Sequence, residues 1–179
     1  MNKALISQLL NISSQAGEII MDIRKNSTEF SVKDDNTPIT EADKASHEFI
    51  LNALSKLTPN IPILSEESSH IPFSVRTSWK EYWLIDPLDG TRDFIDGSPD
   101  FCISIALIKN NYPTFGLIYS PFNQVHYYRL DNQPSIKVEN RKSFKILTSK
   151  PKRWKKIVVG RYSINNKGLK EHLKLKTNF

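Results

Sequence analysis

Residues 82–95 read Tyr82-Trp83-Leu84-Ile85-Asp86-Pro87-Leu88-Asp89-Gly90-Thr91-Arg92-Asp93-Phe94-Ile95. The apolar run from Trp83 to Ile85 predicts a buried strand that delivers Asp86 to its end. Pro87 stiffens the backbone there, and Asp89-Gly90-Thr91 predicts a turn. Two carboxylates three residues apart, with the Leu88 carbonyl between them and the Thr91 hydroxyl beyond, make a compact all-oxygen cluster. Hard cations such as Mg²⁺ take oxygen ligands, often few from the protein, and share the rest with substrate phosphates. Upstream, a second apolar run from Ile61 to Leu64 ends in Ser65-Glu66-Glu67-Ser68 and brings further carboxylates to a strand end.

A plainer reading competes. Asp-Pro and Asp-Gly are ordinary turn dipeptides and need no chemistry. A hairpin turn, however, does not need a second Asp at the strand end, and here a second acidic strand end, Glu66-Glu67, lies nearby in sequence. Other Asp-rich loops fail on spacing. A helix–loop–helix calcium site counted from Asp86 would need oxygen side chains where Leu88 and Gly97 stand. In an aspartyl-nucleophile Asp-x-Asp motif one residue separates the acids, whereas two separate Asp86 from Asp89.

Around this core the pattern predicts an α+β fold. Leu5, Leu9, Ile12, Ala16, Ile19, Ile20 and Ile23 recur at helical spacing, giving a helix over 3–25. A short strand is expected near 30–33. A second helix, 40–57, stops before Pro59. Strands are expected at 61–64, 82–86, 101–109, 114–120, 124–130, 143–148 and 156–160, with Asn110-Asn111 as a hairpin turn. A helix beginning beside Gly90 and a last helix over 165–175 complete the set.

Hydrophobic residues make up 39% of the 179, enough for a sizeable core. The first twenty residues lack the clean apolar segment of a signal peptide. The longest apolar stretch, Ile103–Ile108, is too short to span a bilayer. The single cysteine, Cys102, excludes an internal disulfide and sits in an apolar strand pattern, as an inert thiol would. His47, His70, His126 and His172 show no metal-ligand spacing. These features place the protein in the cytoplasm.

Charge divides the chain. Through Pro134 there are 11 Lys and Arg against 17 Asp and Glu; from Ser135 onward there are 14 against 2, Glu139 and Glu171. A cationic part beside an anionic one suits a polyanionic substrate held partly by metal ions. It equally suits nucleic acid or an acidic membrane surface, which leaves peripheral contact with the inner membrane open. No nucleic-acid module accompanies the densest run, Lys150–Lys156, and no nucleic-acid partner is expected.

Ile85-Asp86-Pro87-Leu88-Asp89-Gly90-Thr91, preceded by Leu64-Ser65-Glu66-Glu67 and by Thr37-Pro38-Ile39-Thr40-Glu41-Ala42-Asp43, resembles the signatures of the inositol monophosphatase superfamily in order and spacing. Within it, Tyr82-Trp83-Leu84, Arg92-Asp93-Phe94-Ile95, Ile105–Ile108 and Gly116–Pro121 are most similar to the 3′(2′),5′-bisphosphate nucleotidase branch. The resemblance implies a layered αβαβα fold and a Mg²⁺-dependent phosphatase. It implies metal ligation by Glu66, Asp86, the Leu88 carbonyl and Asp89. It implies substrate contacts from Glu66, Leu88, Asp89, Gly90 and Thr91, and activation of water by Thr91 with Asp43. It also implies a small nucleotide substrate, 3′(2′)-phosphoadenosine 5′-phosphate, cleaved to AMP and phosphate. An inositol-1-phosphate phosphatase is the nearest alternative. Asp43 also has a purely structural explanation, since Thr40-Glu41-Ala42-Asp43 is a helix-start pattern. The three carboxylates Glu66, Asp86 and Asp89 are expected to converge and to raise at least one pKa among them.

The family's later Trp-Asp-x-Ala-Ala motif is absent: no Asp follows Asp131, and Trp154 is followed by Lys155. The expectation is therefore an N-terminal α+β metal-binding domain, 1–134, and the start of a truncated C-terminal α/β domain, 135–179. In that reading the strands at 143–148 and 156–160 begin an incomplete second layer. The alternative in function is a non-catalytic remnant that binds metal or anions.

Overall fold

Seven strands form one sheet in the order β3-β4-β5-β6-β7-β8-β9. The computed structural model describes residues 1–26, 30–32, 38–68 and 71–147. In chain order the elements are α1 (Lys3–Asn26), β1 (Phe30–Val32), β2 (Pro38–Thr40), α2 (Glu41–Leu57), β3 (Ile63–Ser65), α3 (Phe73–Arg76), β4 (Glu81–Asp89) and α4 (Thr91–Ile95). Then follow β5 (Cys102–Lys109), β6 (Tyr112–Ser120), β7 (Val125–Leu130), β8 (Ile136–Glu139) and β9 (Lys142–Lys145). The expected strand at 156–160, the helix at 165–175, the Lys150–Lys156 run, His70 and His172 lie outside the described residues. His47 stands in α2 and His126 in β7.

β3 and β4 run parallel, and every other neighbouring pair in the sheet is antiparallel. The parallel pair matters for function, because it brings the C-terminal ends of β3 and β4 to the same edge of the sheet. The period-2 pattern of the strands sorts their faces. Trp83, Ile85, Ile103, Ile105, Phe115 and Leu117 point to one side and are buried. α1 and α2 cover that side with Leu9, Ala16, Ile20, Ile50 and Leu54, all fully buried. The opposite face carries Leu84, Ile118 and Tyr127, which are exposed.

Local chemistry explains the element ends. Asn110 and Asn111 both take left-handed backbone, φ 50° and 62°, as a two-residue hairpin turn requires and Asn tolerates. Thr40 caps α2 reciprocally with Asp43. His126 Nε2 lies 3.1 Å from the Leu10 carbonyl oxygen and its ring stacks on Tyr119, tying α1 to β6 and β7. α1 approaches the sheet closely at Gly17, where an added Cβ would stand 2.5 Å from a ring carbon of Tyr119.

One expectation is corrected. The strand foreseen at 143–148 is β9, and it begins no new layer: it pairs with β8, which pairs with β7, so the hairpin extends the first sheet. The compact unit runs from Met1 to Leu147, past the residue-134 charge boundary. The physical reason is that charge follows solvent exposure, whereas strand pairing follows backbone hydrogen bonding, and β9 is exposed along its length.

Gly17→Val should lower unfolding free energy by about 1–3 kcal/mol through overpacking against the stacked Tyr119 ring, measured by urea denaturation. An unchanged midpoint would mean that α1 is not held this close to β6.

Candidate functional site

The site begins with a register shift. On β4 and β5, Asp86 pairs with Ser104 and Asp89 pairs with Cys102, so three steps along β4 match two along β5. Residues three apart in a regular strand point to opposite faces. One extra residue at Pro87–Leu88 forms a bulge and restores Asp89 to the face of Asp86. Pro87 suits that place because it has no N–H to lose from the ladder. Leu88 anchors the bulge by burying its side chain in the core.

Glu66 arrives on the same face from the neighbouring strand. Ser65 is the partner of Ile85 and shares its buried side, so the next residue, Glu66, lies with Asp86. The ladder continues one step further, Glu66 N–H donating to the Ile85 carbonyl at 3.1 Å. Glu66 and Asp86 are in side-chain hydrogen-bond contact, with Asp89 close enough to act on Asp86 electrostatically. Burial, then the charge and contact of Glu66, then the charge of Asp89 push the Asp86 carboxyl up to about 7 from 3.8. Glu67 follows Glu66, its N–H donating to Ser65 Oγ at 3.3 Å.

Thr91 and Asp43 form the second half. The Thr91 hydroxyl donates to Asp43 Oδ1 at 3.0 Å and lies 3.3 Å from the Leu88 carbonyl oxygen. The other Asp43 oxygen accepts from the Thr40 N–H at 2.7 Å and from the Thr40 hydroxyl. The helix-start role of Asp43 and its link to Thr91 therefore coexist. Asp43 is buried while Glu66 and Asp89 are exposed. Gly90 turns the chain from β4 into α4 with φ 97°. A Cβ there would lie 2.9 Å from the Asp100 carbonyl oxygen, so position 90 admits only glycine comfortably.

Two nearby groups were missed by sequence reasoning. Ser46, fully buried, donates from Oγ to the Pro87 carbonyl at 2.9 Å. His47 Nδ1 lies 2.9 Å from Ser65 Oγ. Their only signal in sequence is that they follow Asp43 by three and four positions, hence on one helix face. Cys102 stands 3.8 Å from Asp89, and burial, together with the Asp89 charge, pushes its thiol up to about 11. The raised pKa disfavours the thiolate, while the side chain is half-buried on the face of Asp89 and not in the core, where the apolar pattern had placed it. A trough of 780 Å³ crosses the open face from Glu66 and Asp86 past Ser104 and Ile118 to Tyr127.

The chain matches the model of the inositol monophosphatase family over residues 1–177. It belongs to that family. It is 42% identical over 130 residues to the 3′(2′),5′-bisphosphate nucleotidase CysQ of Haemophilus influenzae, covering 73% of this chain and 48% of that one. Identity to the CysQ of Aggregatibacter actinomycetemcomitans is 43% over 126 residues, 70% of this chain and 47% of that one. Among solved structures, CysQ from Bacteroides thetaiotaomicron is similar with a TM-score of 0.70 and 27% identity, over 95% of this chain and 69% of that one. The chain spans about half the length of the curated relatives it matches. The α+β class expected from sequence is the observed one, a mixed sheet with helices, as in these inositol monophosphatase family structures. Among the described residues, no helix is long and apolar enough to cross a membrane.

The raised Asp86 pKa sets a pH dependence. The folded value lies above the ordinary 3.8, so the contribution favours folding below about pH 4 and is lost as pH rises through about 7. In metal-free protein, Asp86→Asn should therefore flatten the fall in melting temperature between pH 5 and pH 8. Parallel wild-type and variant profiles would show that the carboxylates are not crowded.

Proposed function

We propose that the protein is a Mg²⁺-dependent phosphomonoesterase that acts on 3′(2′)-phosphoadenosine 5′-phosphate, releasing AMP and phosphate. One observation carries the reading: the bulge sets Asp86 and Asp89 on the face that Glu66 reaches, beside the Thr91–Asp43 pair. The nucleotide, rather than an inositol phosphate, is favoured by relatives above 40% identity that carry the bisphosphate nucleotidase name.

The donor set fits Mg²⁺ in kind. It is all oxygen, and Mg²⁺ keeps several waters while taking one or two carboxylates plus substrate phosphate. Among the described residues, no three His, Cys, Asp or Glu side chains are gathered closely enough to hold an ion on their own. Glu66 and Asp86 in contact, the Leu88 carbonyl and Asp89 are the groups that would hold it. Burial first, and then the charges of Glu66 and Asp89, raise the Asp86 pKa; a cation would favour the charged carboxylate against both. When bound, the cation supplies Lewis acidity, neutralising phosphate charge and lowering the pKa of a water.

The chain's own residues supply the rest. Thr91 has one hydroxyl proton, and the shorter, charge-assisted bond directs it to Asp43. Its lone pairs are then left to accept from a water O–H and orient that water toward phosphorus. Asp43, held by Thr40 at its other oxygen, stays fixed as the proton acceptor through Thr91. Gly90, without a Cβ, lets the Asp100–Phe101 backbone pack against the turn that leads into Thr91 and α4.

The test is phosphate release by the full chain from 3′-phosphoadenosine 5′-phosphate and from inositol 1-phosphate, with and without Mg²⁺. Turnover of the nucleotide should require Mg²⁺, and Thr91→Ala should lower kcat by about 10²–10⁴-fold. Asp89→Asn should abolish turnover while leaving the melt intact. Equal turnover by wild type and Thr91→Ala would remove Thr91 from the chemistry, and preference for inositol 1-phosphate would overturn the substrate assignment.

A further inference from the structure

We propose that Ser46 and His47 are positioning residues that fix the spacing between the carboxylates of Asp86 and Glu66, an inference that rests on the metal-dependent reading above. A bulge leaves backbone polar groups without ladder partners, and at Pro87–Leu88 the Leu88 N–H and the Pro87 carbonyl are met from outside the ladder. Leu88 N–H donates to Asp86 Oδ1 at 3.2 Å, and the Leu88 carbonyl oxygen is 3.3 Å from the Thr91 hydroxyl. The Pro87 carbonyl, between the two aspartates, accepts from Ser46 Oγ at 2.9 Å. Ser46 is fully buried, so no water can replace its hydroxyl without a rearrangement of α2.

His47 does the corresponding work on the neighbouring strand. Its Nδ1 is 2.9 Å from Ser65 Oγ, which also accepts the Glu67 N–H at 3.3 Å. Ser65 and Glu67 flank Glu66, so this contact fixes the backbone from which Glu66 projects. Asp43, Ser46 and His47 occupy one face of α2 at i, i+3 and i+4. Through them a single rigid helix grips α4, the β4 bulge and the end of β3. Neither Ser46 nor His47 is a metal ligand in this account. They act through Pro87 and Ser65, as outer partners that orient ligands do.

The experiment titrates Mn²⁺ into the 179-residue chain, following free Mn²⁺ by electron paramagnetic resonance, alongside a thermal melt. Ser46→Ala and His47→Ala should each weaken Mn²⁺ binding about 10–100-fold. His47→Asn, whose amide can take the place of Nδ1, should recover most of the loss. Ser13→Ala is the control: Ser13 is equally buried and bonds the Leu10 carbonyl oxygen at 2.9 Å, within α1. It should lower the melting temperature with Mn²⁺ affinity unchanged. Wild-type affinity in both Ser46→Ala and His47→Ala, or an equal loss in Ser13→Ala, would overturn the inference. Absence of Mn²⁺ binding by the wild-type chain would instead remove the metal-dependent reading, and this inference with it. His47 is only half-buried, so its variants remain informative if Ser46→Ala fails to fold.

Discussion

A single extra residue in β4 governs the arrangement of everything around it. Without the bulge at Pro87–Leu88, Asp86 and Asp89 would point to opposite faces of the sheet. With it, both face the side from which Glu66 projects, while Leu88 turns inward and is buried. The parallel pairing of β3 with β4 is the second half of the constraint, since only parallel neighbours present both C-terminal ends at one edge. Glu66 is thereby brought into contact with Asp86, with Asp89 on the same face, and burial together with these neighbours raises the Asp86 pKa.

That arrangement needs a frame, and α2 provides it. Its first turn is closed by the reciprocal Thr40–Asp43 cap, an interaction of about 1 kcal/mol in ordinary helices. Here the same carboxylate also receives the Thr91 hydroxyl. Stabilising the helix start and holding the site are therefore one interaction, with Ser46 and His47 extending the grip one turn further. Ile50 and Leu54 bury the rest of the helix against the core, which transmits the rigidity of the sheet to the site.

Much of this was legible in the residues. The spacing from Leu5 to Ile23 marks α1, and the alternation of Ile103, Ile105 and Leu107 marks β5, because burial imposes those periods. The Asn110-Asn111 turn was visible because few residues tolerate two positive φ angles. β8 shows the limit. β8 has only four residues, all half-buried, and its turn places Arg141 at φ 60°, so neither periodicity nor turn chemistry announces it. α3 has no side-chain cap and buries no residue, so nothing local in it stands out either. In sequence the bulge looks like a strand end followed by a turn, whereas β4 runs on to Asp89. A bulge depends on the partner's register, which no window of one strand contains. Ser46 and His47 were hidden for the same reason, since their partners lie 41 and 18 residues away.

The central claim is that the bulge assembles Glu66, Asp86 and the Leu88 carbonyl into a cation site. Anomalous diffraction from a crystal of the full chain soaked in Mn²⁺ tests it directly. The account predicts a peak within about 2 Å of oxygens from Glu66, Asp86 and Leu88, as hard divalent cations require. A peak elsewhere, or Glu66 turned away from Asp86 with no peak between them, would contradict it.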